Sequence, residues 1–261
     1  MTTSTTTEVE GFSTESGSRR ADRVRLLAQP AAVLVIVAGV LAWAFTSSLD
    51  DIEAESIQAG VLWAKTWEHL VITGVVAAIV VGVAVPLGAV LTRSWAKPVA
   101  PLFLAIANIG QAAPALGVLV LFFLWTGWEG LWAAALPIAF YSLLPVLRNT
   151  IVGIQSVDPA LVDAARGIGM SSSAVLFRIE MPLAVPMILA GLRTSLVLAV
   201  GTATLAFFVN GGGLGELVDT GYKLNRTSVL VVGAVLAVGL ALLVDWLGAL
   251  AEEFLGPKGL S

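Results

Sequence analysis

Residues 70–92 read LVITGVVAAIVVGVAVPLGAVLT, a run of 23 residues without a charged side chain. A helix of about 20 apolar residues is long enough to cross the hydrocarbon core of a bilayer, which is roughly 30 Å thick. In lipid the backbone must satisfy its own hydrogen bonds, so a run of this kind folds as an α-helix. The stretch therefore predicts a membrane-spanning helix and sets the class of the fold.

Five further runs of the same kind flank this stretch. They cover residues 26–49, 98–128, 130–147, 181–215 and 227–244, and Arg193 alone interrupts the run 181–215. The composition agrees, because 57% of the residues are hydrophobic and only 12% are charged, whereas about 25% are charged in soluble domains. The sequence predicts an all-α fold, a polytopic membrane helix bundle with about six transmembrane helices.

The composition also limits the chemistry. The chain has no cysteine and a single histidine, His69, which excludes a disulfide framework and a thiolate nucleophile and argues against a Cys/His metal site. We therefore expect no catalytic residue, no metal and no cofactor on this chain, and no nucleic-acid partner. His69 is expected at the external membrane interface, Arg193 reaching toward the cytosolic interface, and Asp245 near the cytosolic end of the last span.

The loop cations predict the orientation, because cytosolic loops of membrane proteins are enriched in Lys and Arg. With six spans, one side would hold Arg19, Arg20, Arg23, Arg25, Arg93, Lys97, Arg148, Arg166, Arg178 and Lys258, and the other only Lys65, Lys223 and Arg226. We expect a multi-pass protein of the bacterial inner (plasma) membrane with both termini in the cytosol. Residues 1–25 are predicted to be a disordered cytosolic tail, and residues 26–255 the transmembrane domain, with a cytosolic loop at residues 148–182.

This cytosolic loop is organised by its capping residues. Asp158 followed by Pro159 predicts the N-cap and first turn of a short helix. Gly167 and Gly169 would end that helix, and a second short helix would follow and close at Pro182. The loop therefore predicts two short helices joined by a glycine turn on the cytosolic side.

The same loop resembles the EAA loop of ABC-importer permeases. The family pattern is Glu-Ala-Ala, three residues, Gly, nine residues and Ile-x-Leu-Pro, and the spacing here matches at every position, with Asp163 in place of Glu and Met181 in place of Leu. The resemblance implies that the loop docks on an ATP-hydrolysing partner subunit. The residues that it would assign to this coupling role are Asp163, Ala164, Ala165, Arg166, Gly167, Gly169, Ile179 and Pro182.

The wider sequence resembles the osmoprotectant branch of these permeases. The matching stretches include LPVLRNT at residues 144–150, PLAVPMILAGLRT at 182–194, GTATLA at 201–206 and GGGLG at 211–215. The resemblance implies a type I ABC-importer permease fold and the uptake of glycine betaine, carnitine or choline. It also implies four kinds of partner: a pair of ATP-binding subunits that carry the ATP and Mg, a second permease copy or paralogue, an external solute-binding protein and the lipid bilayer.

Two groups of residues are candidates for a solute pathway or gate. Asn108, Gln111 and Pro114 cluster within one apolar run, and Thr202 and Thr204 lie within another. Polar side chains and a helix-breaking proline at membrane depth either line a wet pathway or form contacts between helices, and both possibilities are open here.

The glycine-rich run at residues 210–215 is the second group. It is either a flexible external turn or a place where Asn210, Gly211 and Gly213 allow two permease copies to approach or a gate to move.

Two other classes of protein remain as alternatives. An ion-coupled secondary carrier of small solutes would also be a helix bundle, but no chain of carboxylates or histidines crosses the predicted spans. A membrane scaffold without transport activity would not need the organised cytosolic loop.

Overall fold

The fold is helical throughout the residues that the structure describes. The structure is a computed structural model, and it describes the backbone of residues 7–255 and the side chains of residues 27–255. No strand is present in that part of the chain. In chain order the helices are α1 (Thr7–Thr46), α2 (Asp51–Ser56), α3 (Ala59–Leu91), α4 (Ala100–Ala112), α5 (Ala115–Thr126), α6 (Leu131–Gln155), α7 (Pro159–Gly167), α8 (Ser172–Val175), α9 (Met181–Ala203), α10 (Leu214–Lys223) and α11 (Thr227–Leu255).

Helix α1 starts inside the segment for which the sequence predicts a disordered tail. Its backbone is helical from Thr7 onward. Once the apolar part of a helix has formed, each added residue closes one more hydrogen bond, so the helix continues beyond the span. Residues 1–6, the side chains of the four arginines predicted near the N-terminus, and Lys258 lie outside the described part of the chain.

Five helical segments are long and apolar enough to cross a membrane: Leu27–Thr46, Ala59–Leu91, Leu131–Gln155, Ser172–Ala203 and Thr227–Leu255. They confirm five of the six predicted spans.

The predicted span at residues 98–128 is broken into two helices. The segments Lys97–Ala112 and Ala115–Thr126 meet at an angle of 100°. Pro114 lies at the break, and Ala113 before it is extended, with ψ 145°. A proline has no N–H for the helical ladder and disfavours helical geometry in the preceding residue. The sixth predicted span is therefore a bent pair of helices instead of one continuous helix, with its break at Pro114.

The broken pair α4–α5 nevertheless crosses the bundle. A Cβ on Gly88, near the end of α3, would lie 2.7 Å from Thr150 near the end of α6. The starts of these two helices both contact the loop at residues 209–214, since Gly213 N–H donates to Glu68 on α3 and Gly130 N–H to the Val209 carbonyl. Helices α3 and α6 thus run in the same direction, and the chain between them must return through α4 and α5.

These contacts define two faces of the bundle. The α7 face carries the ends of α3 and α6, helix α7 and the start of α9. The α10 face carries the starts of α3 and α6, the loop at residues 209–214 and helix α10. Candidate functional residues lie at both faces.

The centre of the bundle is formed by α3, α6 and α9, which approach closely through small residues. A Cβ on Gly191 of α9 would lie 2.7 Å from the Pro145 carbonyl oxygen of α6. The Ser195 hydroxyl donates to the Ser142 carbonyl at 2.7 Å. Lipid gives no hydrophobic drive for helix association, so close backbone approach and such hydrogen bonds hold membrane helices together.

Candidate functional site

The short helix α7 has the two ends that the sequence predicts. The Asp158 carboxylate accepts the Ala160 N–H at 2.8 Å and caps the start of the helix, with Pro159 in its first turn. At the other end Gly169 has φ +88° and donates its N–H to the Arg166 carbonyl at 2.9 Å. Met170 N–H reaches the Ala165 carbonyl at 3.1 Å, which completes a Schellman motif.

The exposed side of α7 combines apolar and charged residues. Leu161 is half exposed and Ile168 is 82% exposed, and Ala164 is also exposed. Asp163 and Arg166 lie 3.9 Å apart at the surface. A single exposed leucine is ordinary, but exposed apolar side chains beside paired charges form a surface suited to another protein.

Ala165 does not belong to this exposed side. It is only 5% exposed and faces the protein's own interior. The resemblance assigns both Ala164 and Ala165 to the coupling role, but only Ala164 lies on the side of α7 that a partner could contact. The small size of Ala165 serves the packing of α7 on this chain.

The second predicted short helix does not end at Pro182. Ser171 caps α8 through the Ala174 N–H at 3.3 Å, and α8 continues through a π-helical turn, Leu176–Glu180, directly into α9. Pro182 lies in the first turn of α9, where the wider π turn before it leaves room for the proline ring. Ile179 is part of the π turn, so the prediction of a closed second helix is wrong.

A shielded ion pair joins the π turn to the end of α3. The Arg93 Nη2 lies 2.6 Å from the Glu180 Oε2, and Glu180 is only 7% exposed. The same guanidinium donates to the Thr92 hydroxyl at 2.8 Å. The two residues are 87 positions apart, and the sequence gives no signal for their pairing beyond their opposite charges at two span ends.

Two adjacent α3 residues cap the backbone on the α10 face. His69 is fully buried. Its Nε2 lies 2.9 Å from the Val200 carbonyl oxygen, and its Nδ1 lies 3.3 Å from the Leu214 N–H. A carbonyl only accepts and an N–H only donates, so the proton must be on Nε2 and the ring is neutral. Glu68 accepts the Gly213 N–H at 2.9 Å.

The two His69 contacts satisfy backbone groups at the end of α9 and at the start of α10. The Thr204 N–H bonds to the carbonyls of Gly201 and Thr202, so the Val200 carbonyl at the end of α9 lacks its usual helical partner, and His69 supplies one. Leu214 N–H belongs to the first turn of α10, where backbone N–H groups have no partner within the helix. His69, expected at the external interface, therefore lies near the α10 face but is buried and hydrogen-bonded to two other segments.

Lys65 extends this cluster. Its ammonium lies 2.6 Å from the Glu216 carboxylate of α10 and 3.1 Å from that of Glu68. One cation thus bridges α3 and α10. The loop between α9 and α10 is hydrogen-bonded to α3 and α6, which argues against the alternative of a flexible turn.

The family model described as "binding-protein-dependent transport system inner membrane component" matches residues 84–255. The chain belongs to this family. The matched region begins within α3 and includes the whole of α7 and the π turn. It covers the elements on which the predicted resemblance depended, and that prediction is confirmed.

Relatives of this inner-membrane component include two proteins of Bacillus subtilis (strain 168). The choline transport system permease protein OpuBB is 42% identical over 201 residues, which are 77% of this chain and 91% of OpuBB. The glycine betaine/carnitine/choline transport system permease protein OpuCB is 41% identical over 201 residues, with the same coverage.

A solved structure confirms the predicted fold class. A chain of the MetNI methionine ABC transporter, in an inward-facing conformation, aligns with a TM-score of 0.66 at 24% identity. The alignment covers 75% of this chain and 96% of that chain. At this level of identity the likeness concerns the fold.

In this inner-membrane component, the first group of candidate pathway residues lies on α4 and at its break. Asn108 is exposed, and its amide donates to the Leu104 carbonyl of its own helix at 2.8 Å. Gln111 is partly buried one turn later, and Pro114 is the N-cap of α5. The Asn108 amide makes its hydrogen bond within its own helix, so the alternative of contacts between helices has no support from this residue.

The two threonines of the first group lie where α9 ends, toward the α10 face. Thr202 and Thr204 donate their hydroxyls to the Leu198 and Gly201 carbonyls at 2.8 and 2.6 Å. The backbone of Thr204 also touches α10, because a Cβ on Gly215 would overlap the Thr204 carbonyl.

Asn210, Gly211 and Gly213 have conformational roles within this chain. Asn210 is left-handed, with φ 59°, and its amide lies 3.4 Å from the Glu129 carboxylate. Gly213 has φ +88°, and a Cβ there would lie 3.2 Å from His69. A Cβ on Gly211 would lie 2.9 Å from the Ala206 carbonyl oxygen. These glycines permit close packing inside one chain, whatever further role they have between copies.

Arg193 does not extend alone toward the cytosolic interface as expected. It forms an ion pair with Asp245 of α11, at 2.6 Å, and its Nη1 lies 3.5 Å from Glu252. Both members of the main pair are partly buried. Two opposite charges in separate spans are a signal that could have predicted this contact, because ionisable groups at membrane depth pair with one another.

Proposed function

We propose that this chain is the membrane-spanning permease subunit of an ATP-driven importer for small quaternary amines such as glycine betaine, carnitine or choline. The relatives OpuBB and OpuCB support this substrate class, because both are named for such solutes and match most of the chain. The chain itself would perform no bond chemistry. ATP and Mg would bind to a separate pair of ATPase subunits.

The observation that carries the proposal is the geometry of α7. A nine-residue helix with defined caps at both ends presents Leu161, Ala164 and Ile168 beside the pair Asp163–Arg166. Because α7 is capped at both ends, it would move as a rigid unit and pass a displacement on to the bundle. Docked on an ATPase subunit, α7 would carry the movement of nucleotide binding into α6 and α9, and the bundle would alternate between inward and outward openings.

The proposed orientation places the α7 face in the cytosol. The described cations Arg93, Lys97, Arg148, Arg166 and Arg178 all lie on segments of that face, and the positive-inside rule assigns such a face to the cytosol. Both termini would then be cytosolic. An external solute-binding protein would deliver substrate at the α10 face, and a second copy or a paralogue of the chain would complete the pathway.

Uptake by a complete importer tests this proposal. The chain would be expressed with its ATPase, permease and solute-binding partners in cells that lack other osmoprotectant uptake, and the uptake of labelled glycine betaine, carnitine and choline would be measured. We expect uptake of at least one of these solutes that is abolished when the ATPase subunit is made inactive.

The same experiment separates the importer from a secondary carrier. Ionophores that collapse ion gradients, applied at maintained ATP, should leave uptake intact in an importer. Uptake that stops with the ionophore but survives ATPase inactivation would overturn the proposal in favour of an ion-coupled carrier.

A further inference from the structure

The end of α3 on the α7 face is fastened to the segment that follows α8. The 2.6 Å contact between Arg93 and Glu180 is shielded, with the Glu180 side chain only 9% exposed. The Thr92 hydroxyl accepts two contacts from the guanidinium, at 2.8 and 3.2 Å, which fixes its orientation. Separating such a pair would leave a buried carboxylate without a partner, at a cost in free energy. The two elements therefore move together.

An apolar cluster joins the same elements as this ion pair. Ala89 of α3 is buried in a cluster with Ile154 of α6 and Ala184 of α9, and Leu176 of the π turn packs against the same cluster. The joint therefore includes both a charge pair and a packed core. It lies directly after α7 and α8, where movement of a docked partner would enter the bundle.

The other end of α3 is hydrogen-bonded to the end of α9 on the α10 face and to the loop that follows it. Glu68 and His69 bind the backbone of Gly213, Leu214 and Val200, as described above. From Glu68 to Arg93 is about 37 Å at 1.5 Å per residue, which is the full thickness of the hydrocarbon core and more. Helix α3 is continuous over residues 59–91. One helix thus connects the π turn on the α7 face with the loop at residues 209–214 on the α10 face.

We propose that Arg93 and Glu180 are positioning residues for transport, and that through them α3 carries displacement of α7 and α8 to the loop at residues 209–214. This inference rests on the proposed function, because it concerns how ATP-driven movement crosses the membrane. Without the pair, the ATPase subunit would still dock on α7 and hydrolyse ATP. The loop on the α10 face would then follow through α9 alone and no longer through α3, so fewer solute molecules would be imported for each ATP.

Charge reversal tests this proposal in the complete importer, reconstituted in lipid vesicles with its ATPase, permease and solute-binding partners. The variants are Arg93→Glu, Glu180→Arg, the double exchange of both, and the milder Glu180→Gln. Lys97→Ala is the matched control, because Lys97 is an exposed cation on the same face. The measurement is solute uptake per ATP hydrolysed, together with the amount of ATPase subunit that co-purifies.

We expect each single reversal to lower uptake per ATP by roughly 2- to 30-fold, the range for residues that carry coupling between sites. Co-purification of the ATPase subunit should be unchanged. Glu180→Gln should show a smaller loss in the same direction, the double exchange should recover most of the ratio, and Lys97→Ala should equal the wild type.

Two results would overturn the inference. One is an unchanged ratio in both Arg93→Glu and Glu180→Gln. The other is a parallel loss of protein, ATP hydrolysis and uptake in every single variant with no recovery in the double exchange, which is the pattern of a merely structural pair. A wild-type complex without ATP-dependent uptake would instead contradict the proposed function.

Discussion

Arg193 and Asp245 form a two-point ion pair between α9 and α11, with Nε 2.6 Å from Oδ1 and Nη2 2.9 Å from Oδ2. The Gln29 amide of α1 also donates to the Asp245 carboxylate, at 3.2 Å. Gly248 makes room for the arginine, since a Cβ there would lie 2.8 Å from its Cγ. Three helices of the bundle therefore meet at one carboxylate.

We expect Asp245→Asn to destabilise the protein by about 1–3 kcal/mol, because the partly buried Arg193 then keeps, among the described residues, only the weaker 3.5 Å contact with Glu252 as an ion pair. Thermal unfolding in detergent measures this effect. The double variant Arg193→Met with Asp245→Met should be less destabilised than the less stable single variant, since it removes both charges of the main pair and only Glu252 loses a partner. Glu253→Gln, at an exposed position of α11, is the control. Equal stability of Asp245→Asn and the wild type would contradict this prediction.

Replacing His69 with Phe preserves most of the buried volume but removes both hydrogen bonds. Each buried backbone group left unsatisfied, at Val200 and at Leu214, costs about 1–3 kcal/mol. We expect faster hydrogen exchange at residues 210–216, measured by mass spectrometry on the purified protein. Thr66→Ala, which removes only a hydroxyl bonded within α3, should leave this exchange unchanged. If His69→Phe exchanged no faster than Thr66→Ala, the capping role of the histidine would be disproved.

The glycine at position 215 is predicted to be irreplaceable for packing. A Cβ there overlaps the Thr204 carbonyl, and backbone cannot move aside as a flexible side chain can. Gly215→Ala should therefore lower the amount of folded protein in the membrane. Gly82→Ala is the matched control, because a Cβ at Gly82 meets nothing within 4 Å. Comparable amounts of the two variants in membrane fractions would refute the predicted clash.

Two glycines at the end of α7 should respond differently to alanine. Neither has an atom near the new Cβ, but only Gly169 is left-handed, with φ +88°. Gly169→Ala should cost about 1 kcal/mol and disturb the end of α7, whereas Gly167→Ala should favour the helix. We expect Gly169→Ala to reduce co-purification of the ATPase subunit several-fold and Gly167→Ala to leave it intact. The opposite order would show that the left-handed turn does not position α7.

The spans and the α7 caps were predictable because their signals are local. A bilayer demands about 20 apolar residues in sequence, and Asp158 and Gly169 act on backbone groups within a few positions. The bend between α4 and α5 was missed although Pro114 was recognised as a helix breaker. The length of an apolar run indicates how many residues can lie in lipid. It does not indicate whether those residues form one straight helix.

The polar contacts between helices were not predictable in the same way. His69 lies 131 positions from Val200, and Arg193 lies 52 positions from Asp245. For each of these residues considered alone, a position at the membrane interface costs little free energy. The prediction from the sequence therefore places it there. Only the folded bundle brings the partner close enough to make the buried position favourable. The pair Arg93–Glu180 was missed for the same reason.

The π turn Leu176–Glu180 sets the rotational phase between α8 and α9. Its hydrogen bond from the Met181 N–H to the Leu176 carbonyl spans five residues instead of four. Successive residues of a helix are about 100° apart around its axis. The wider turn takes up one extra residue, which would rotate α7 and α8 by about that angle relative to the rest of α9 if the segment were ordinary α-helix with the same number of residues. The direction in which α7 faces therefore depends on this turn, and a substitution that converted it to ordinary α-helix without changing the number of residues would redirect α7.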